Sequence, residues 1–214
     1  MWKKNIENHL TMVTTSRKPS NLLKKFVKKL LFIFPNSREV YRNNLFLSQI
    51  INKSLLANYS DIFLVYEKRG RPNILIMSHL PNGPSLFLGI SKEIQEMESK
   101  HGIKSGNSPY VVFENLNTTL GKKIKNIFRL LFLPPKDYSN RLVLFAGHEK
   151  WIIVSNFFVR HESSQSKPLY LTEIGCKLKF YPIKITLGLI DDIKDVIEWK
   201  LNRYMRNSSK RNFF

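Results

Sequence analysis

Residues 10–35 read LTMVTTSRKPSNLLKKFVKKLLFIFP and carry the signals of a strand, a turn and a helix. The β-branched segment Leu10–Thr15 predicts a strand, and Ser16–Ser20 predicts a turn in which either Pro19 or Ser20 starts the helix. Apolar residues then recur with helical spacing while lysines occupy the opposite side, which predicts an amphipathic helix that Pro35 ends. The apolar stripe comprises Leu22, Leu23, Phe26, Val27, Leu30 and Leu31.

A second unit of the same kind follows roughly 100 residues later. Tyr110–Phe113 predicts a strand, Thr118 and Thr119 a helix cap, and Leu120–Phe132 another amphipathic helix. We expect its inward residues to be Leu120, Ile124, Ile127, Phe128 and Leu131.

The two units are also similar in amino-acid sequence. LLFIFP at 30–35 aligns with LLFLPP at 130–135. Two unrelated helices rich in Leu and Lys would share composition, but they would not share the order of strand, cap, helix and proline. We therefore expect an internal duplication that gives two similar α/β halves, over about 11–100 and 108–190.

The segments around these units predict further elements. Leu45–Leu56 has the helical period, and Asp61–Glu67 and Asn73–Ser78 read as strands joined by a basic turn around Gly70. The pattern of Asp191–Lys200 fits either a helix or a strand. The Leu45–Leu56 helix is expected to bury Leu47, Ile50, Ile51 and Leu55. Other expected strands are Ser85–Gly89, Arg141–Phe145, Trp151–Val154, Phe157–Arg160, Tyr170–Glu173 and Lys177–Thr186.

The composition indicates a folded protein that attracts polyanions. The chain has 214 residues, of which 43% are hydrophobic, and its 35 Lys and Arg against 16 Asp and Glu give a net charge of +19. Solubility alone seldom needs a charge above about 8 in a small domain. Nucleic acid is therefore the favoured partner, ahead of an anionic membrane surface or an acidic protein.

The same sequence offers little for catalysis, metal binding or secretion. A single cysteine, Cys176, is expected to be a semi-buried apolar residue, and it excludes an intrachain disulfide or a zinc finger. No apolar run reaches the roughly 18 residues of a membrane span, and the start lacks a signal-peptide pattern, so we expect an intracellular protein. Ser78 and His79 should point to opposite faces of a strand. We expect no enzyme, no cofactor and no metal.

Basic residues are the candidate functional groups. Phosphate contacts need Lys and Arg at spaced positions, and arginines at turns bounded by Gly or Pro can hold phosphate with two hydrogen bonds from a rigid base. Most Phe and Tyr fall at inward positions, so we expect contact with structured RNA backbone rather than stacking of unpaired bases. The candidate RNA-binding residues are Arg17, Lys18, Lys24, Lys28, Arg69, Arg71, Lys122, Lys123, Lys136, Arg203, Arg206, Lys210 and Arg211.

Several of these segments are familiar. TTSRKPS at 14–20 resembles the opening of the Brix domain, and SHLPNGPS at 78–85 resembles the most diagnostic segment of that family. EKRGRP at 67–72 and PPKDYSNR at 134–141 are similar to the branch of the family that belongs to the U3 small nucleolar ribonucleoprotein. About six such motifs occur in register, and the resemblance extends over residues 11–214.

The resemblance implies a domain layout and a fold. A Brix domain would occupy 11–201, after a short extension at 1–10 and before a basic tail at 202–214. It would be an α/β (α+β) domain of two similar halves, each a mixed sheet with packed helices similar to the anticodon-binding domain of class II aminoacyl-tRNA synthetases. Relatives carry a long charged helical arm before this domain, so we expect partner contacts through such an arm to be reduced.

The resemblance also implies a function. A Brix protein would be a non-catalytic, nucleolar ribosome assembly factor, here promoting the pairing of U3 snoRNA with the rRNA precursor and early processing toward 18S rRNA. The implied partners are U3 snoRNA, pre-18S rRNA, the proteins Mpp-ten and Imp-three, and other processome components, with no membrane. Two alternatives stay open: a Brix factor of large-subunit assembly, or a protein adaptor that docks acidic segments without touching RNA.

Overall fold

The computed structural model describes residues 9–91, 95–96, 108–135, 139–160, 170–191, 196–202 and 213–214. Three helices lie in these ranges: α1 (Asn21–Ile33), α2 (Leu47–Leu56) and α3 (Thr119–Leu130). The strands there are β1 (Thr11–Thr15), β2 (Ser37–Glu39), β3 (Asp61–Lys68), β4 (Arg71–His79), β5 (Ser85–Ile90), β6 (Gln95–Glu96), β7 (Tyr110–Glu114), β8 (Arg141–His148), β9 (Trp151–Arg160), β10 (Tyr170–Thr186) and β11 (Ile197–Lys200).

All of these strands join one mixed sheet in the order β2-β1-β3-β4-β5-β10-β9-β8-β7, with β6 and β11 also paired to β10. In the first half β1 runs parallel to β3, which continues into the antiparallel strands β4 and β5. In the second half β7, β8, β9 and β10 repeat that arrangement. The predicted pair of similar α/β halves is confirmed, and an antiparallel β5–β10 seam joins the two into a continuous sheet.

The two faces of the sheet are covered by different helices. Along β1 and β3, Val13 and Phe63 belong to the main core, whereas the alternate residues Met12 and Ile62 belong to a smaller cluster with Ile50 and Ile51 of α2. Neighbouring residues of a strand point to opposite faces. Since α1 and α3 both contribute to the main core, they share one face, and α2 packs on the other.

The main core is common to both halves. Phe34, directly after α1, contacts Phe63 of its own half with ring centroids 4.9 Å apart. It also contacts Phe132 and Phe145 of the second half, at 5.5 and 6.5 Å. The halves are therefore parts of a single hydrophobic unit.

Equivalent caps begin the two helices of this core. The Ser20 hydroxyl accepts a hydrogen bond from the Leu23 amide at 3.2 Å, and the Thr118 hydroxyl accepts one from the Gly121 amide at 3.0 Å. Each cap satisfies an amide that the first helical turn leaves without a partner. Of the two predicted helix starts at Pro19 and Ser20, the structure uses Ser20.

Two predicted inward residues are wrong. Leu22 is 53% exposed and Leu55 is 37% exposed. Both lie at the edge of their helical stripe, where a rotation of 100° per residue turns a side chain toward solvent. In α2 the buried position belongs instead to Ser54, whose hydroxyl donates to the carbonyl of Ile50 at 2.7 Å.

The later strands are longer than the sequence predicts. β9 and β10 are each continuous, where the pattern predicts two strands for each. In β10 the register shifts between Ile174 and Leu178, and Gly175 has a φ of +75°. This bulge interrupts the alternation of side chains without ending the strand. The ambiguous segment before residue 200 contains strand β11.

Candidate nucleic-acid interface

Two basic turns meet at the start of α1. The Ser20 hydroxyl lies 2.5 Å from Oε2 of Glu67 and 3.1 Å from the carbonyl oxygen of Gly70, and can donate to either. The Ser20 amide also donates to the Glu67 carboxylate at 3.3 Å. These contacts hold the turn at 16–20 against the turn between β3 and β4. We name the resulting surface the α1 basic patch and define it by Arg17, Lys18, Arg69 and Arg71.

The β3–β4 turn presents its arginines from a rigid backbone. Arg69 and Gly70 have φ values of 55° and 73°, and they lie between the paired residues Lys68 and Arg71. Positive φ at both central residues is the type I′ hairpin, whose twist matches that of the strands. Arg69 and Arg71 are both exposed.

The α1 basic patch has a strong excess of positive charge. The two turns together carry five cations, because Lys68 joins the four patch residues, against the single carboxylate of Glu67. The guanidinium of Arg17 lies 4.9 Å above the ring of Phe46, which limits the positions it can take. Lys24 and Lys28 are exposed one helical turn apart on α1 and continue the charge along the helix.

Two further predicted RNA-binding residues do not join this patch. Lys122 and Lys123 lie on α3 of the second half, and the ammonium group of Lys123 pairs with Glu198 of β11 at 2.5 Å. That ion pair gives Lys123 a structural contact that the sequence does not indicate. Lys136, Arg203, Arg206, Lys210 and Arg211 lie outside the described residues.

The face of the sheet opposite α1 and α3 carries partly exposed aromatic residues, among them Phe87, Trp151 and Tyr181. Each alternates with core residues of its strand, as Phe87 does with Leu86 and Leu88. Phe87 and Tyr181 are therefore exceptions to the expectation that most Phe and Tyr fall at inward positions. Alternation along β5 was the available signal, because a residue between two core positions of a strand must face the other side.

A buried carboxylate begins β3. The Asp61 side chain is fully buried; Oδ1 contacts Nδ1 of His79, and Oδ2 lies 2.9 Å from Nε2 of His9. Burial raises the pKa of the Asp61 carboxyl, but the hydrogen bonds and charges of His79 and His9 outweigh that effect and hold the pKa far below its ordinary value. The cluster joins residues before β1, at the start of β3 and at the end of β4.

A buried guanidinium begins β8. Nη2 of Arg141 donates to the carbonyls of Phe32 and Ile33 at the end of α1, and to Oδ1 of Asn156 at 3.0 Å. The guanidinium also lies 4.8 Å above the ring of Phe32. Burial lowers the pKa of Arg141 to about 10, so the group stays cationic at pH 7. Arg141 thus ties the second half to the helix of the first.

The described residues contain no group of His, Cys, Asp and Glu arranged to hold a metal ion. Ser78 and His79 diverge as expected, because the Ser78 hydroxyl lies 2.7 Å from that of Ser85 while His79 contacts Asp61. Cys176 is buried in the core. None of the described helices is long and apolar enough to cross a membrane.

The fold and its surface define a class: a duplicated α/β protein with one shared sheet and a cationic patch at the start of its first helix. The chain belongs to the Brix domain family, whose model matches residues 16–184. The resemblance seen in the sequence motifs is therefore confirmed.

Named relatives agree with this assignment, and a solved structure shares the fold. The U3 small nucleolar ribonucleoprotein protein imp4 of Schizosaccharomyces pombe is 33% identical over 198 residues, which cover 92% of this chain and 68% of that protein. The Homo sapiens protein named U3 small nucleolar ribonucleoprotein protein IMP4 is 29% identical, over 97% of this chain and 72% of its own. The crystal structure of a probable ribosomal biogenesis protein from Aeropyrum pernix K1 shares the fold, with a TM-score of 0.59, 17% identity and coverage of 81% of this chain and 96% of that chain.

Proposed function

We propose that this chain is a non-catalytic, RNA-binding ribosome assembly factor of the U3 small nucleolar ribonucleoprotein. It works in the nucleolus within the small-subunit processome and promotes the pairing of U3 snoRNA with the rRNA precursor, which precedes processing toward 18S rRNA. Its partners are those two RNAs and proteins of the Mpp-ten and Imp-three types. Similarity to relatives named U3 small nucleolar ribonucleoprotein protein IMP4 supports the choice of particle.

The observation that carries the RNA-binding part of the proposal is the α1 basic patch. Its cations extend from two turns whose backbones are held together by Ser20 and Glu67, so their attachment points are fixed before any RNA arrives. The planar guanidinium group is itself preorganised, so arginine loses less conformational freedom per hydrogen bond when it binds phosphate. Such contacts supply affinity and orientation but read no sequence, which suits a factor that holds two RNAs in position while they pair.

The location of bound RNA tests the choice of particle. We would crosslink the tagged protein to RNA with ultraviolet light in its own cell and sequence the attached RNA. Reads concentrated on U3 snoRNA and the 5′ part of the rRNA precursor are expected. Reads on the large-subunit precursor would move the function to the other ribosomal particle, and an absence of reads would favour an adaptor that binds only proteins.

A pair of double variants tests the patch itself. Arg69→Ala with Arg71→Ala should make the plot of log affinity against log salt shallower by about two, because two phosphate contacts are lost. Arg38→Ala with Lys53→Ala is the matched control, since it removes two exposed cations from β2 and α2. Both should melt within a few degrees of the wild type. Equal losses of RNA affinity in the two variants would show that net charge, rather than this patch, binds the RNA.

A further inference from the structure

We propose that the sheet face opposite α1 and α3 binds a short unpaired segment of RNA by stacking its bases on Phe87, Tyr181 and Trp151. This inference rests on the proposed RNA-binding function but concerns a different surface and a different form of RNA. The three residues lie on β5, β10 and β9, which are adjacent strands across the seam between the halves. We name them the aromatic platform.

The platform is formed by the pairing register of the seam. Gly89 of β5 lies opposite Tyr181 of β10, and a Cβ atom on Gly89 would overlap the Tyr181 ring. The missing side chain therefore lets this ring lie across the neighbouring strand. Trp151 stands edge-on to Tyr181, with ring centroids 5.5 Å apart and an interplanar angle of 89°. The two rings therefore meet at nearly a right angle and form a corner of aromatic surface.

Cations surround these rings. The ammonium groups of Lys150 and Lys184 lie 5.0 Å from the ring centre of Trp151 and 5.1 Å from that of Phe87. Lys200 of β11 is paired with Lys184 and is exposed on the same face. A lysine over a partly exposed ring is weakly held and can turn aside to a phosphate. The RNA bases would then stack on the rings while the phosphates of the same strand pair with the lysines.

The arrangement favours a single strand over a duplex. A base offers its flat surface only when it is unpaired and unstacked from its neighbours, and aromatic rings on a sheet face are a general solution for binding such bases. Strands lie about 4.8 Å apart, so rings on three adjacent strands can serve two or three nucleotides. The charge complements a polyanion, and none of the three described helices packs over these rings.

The test compares two RNA probes with the full chain. We would measure fluorescence anisotropy with a labelled oligouridine of about 12 nucleotides and with an RNA duplex of similar length. Trp151→Leu with Tyr181→Leu keeps apolar volume over Gly89 but removes the flat rings. We expect this variant to bind oligouridine about thirtyfold more weakly and the duplex within twofold of the wild type. Tyr41→Leu is the matched control, because Tyr41 is 64% exposed and follows β2, which lies at the edge of the sheet and four strands away from β5.

The outcomes separate this inference from the proposed function. If wild type binds both probes and the leucine variant binds oligouridine equally well, the aromatic platform is not the site and the RNA-binding function stands. If wild type binds neither probe, the proposed function fails and this inference fails with it. Should the double variant not fold, crosslinking of wild type to oligo(4-thiouridine) decides. Adducts on the peptides containing Trp151 or Tyr181 support the platform, and adducts confined to other peptides overturn it.

Discussion

Asp61 and Arg141 occupy equivalent places in the two halves of the sheet. Each is the first residue of the strand that runs parallel to the first strand of its half, β3 beside β1 and β8 beside β7. Each is buried, and each pairs with a residue near the end of the next strand. The first half fills this place with a carboxylate between two imidazoles, and the second half fills it with a guanidinium on main-chain carbonyls. The duplicated topology therefore keeps a buried polar anchor here while its charge and its partners have diverged.

The two anchors also differ in which halves of the protein they contact. Asp61 contacts His9 and His79 and accepts a hydrogen bond from the Ser60 hydroxyl at 2.5 Å, and all three residues belong to the first half. Arg141 takes Asn156 from its own half but the carbonyls of Phe32 and Ile33 from the other. The first anchor therefore stabilises one half, and the second stabilises the junction between them.

The largest expected effect is that of Asp61→Asn. The amide can accept one of the two histidine hydrogen bonds but carries no charge, so we expect a loss of about 3 kcal/mol in the free energy of unfolding at pH 7. Because the folded carboxyl has a strongly lowered pKa, its stabilisation is complete above the ordinary carboxyl pKa of about 4 and declines as the pH falls below it. Urea denaturation at pH 7, 4 and 3 should show the gap between wild type and variant narrowing in acid. A gap that stays constant would contradict this view of Asp61.

Arg141→Met should cost somewhat less, about 2 kcal/mol, because methionine fills most of the volume while two carbonyls and the Asn156 side chain lose a donor. The guanidinium is charged throughout this range, so its loss should be the same at pH 4 and at pH 7. Arg38→Met, at an exposed arginine, is the control and should change stability by less than about 0.5 kcal/mol. A loss of stability that varied strongly between those pH values would contradict the difference drawn between the two anchors.

A pair of glycine variants probes the junction more gently. Gly175 and Gly70 have nearly the same φ, +75° and +73°, so alanine strains the backbone equally at both. A Cβ on Gly175 would lie 2.7 Å from the Phe32 ring, whereas a Cβ on Gly70 would meet nothing within 4 Å. We expect Gly70→Ala to cost about 1 kcal/mol and Gly175→Ala about 1 kcal/mol more in thermal or urea unfolding. Equal costs would mean that the bulge in β10 does not press on α1.

Local patterns predicted the repeated parts of the fold well. The N-caps and the apolar stripes of α1 and α3 depend on residues that are close together in the sequence. Ser20, Thr118 and most inward positions could therefore be predicted. The anchors could not be predicted in this way, because the contacts of Arg141 with Ile33 and Asn156 join residues far apart in the chain. Alternation of apolar and polar residues along a strand shows that its side chains point to two faces of the sheet. It does not show which of these faces a helix will cover.

The candidate sites show the same contrast between features set by local sequence and features that depend on contacts between distant residues. The basic turns can be recognised from their local sequence, so Arg17 and Arg69 could be predicted as candidate RNA-binding residues. The contact between the two turns could not be predicted, because it depends on a hydrogen bond between Ser20 and Glu67, which are 47 positions apart. The aromatic platform needs the register of β5 against β10 to bring Gly89 under Tyr181, and register is a property of the assembled sheet.

The sharing of Phe34 between the halves has a consequence for synthesis on the ribosome. Its ring partners Phe132 and Phe145 are encoded roughly a hundred codons downstream. At about 5–20 residues per second, the ribosome needs on the order of 5–20 s to translate that distance. Throughout this interval the nascent first half carries an apolar surface that only the unfinished second half can cover. We therefore expect the nascent chain to need protection from aggregation during this interval.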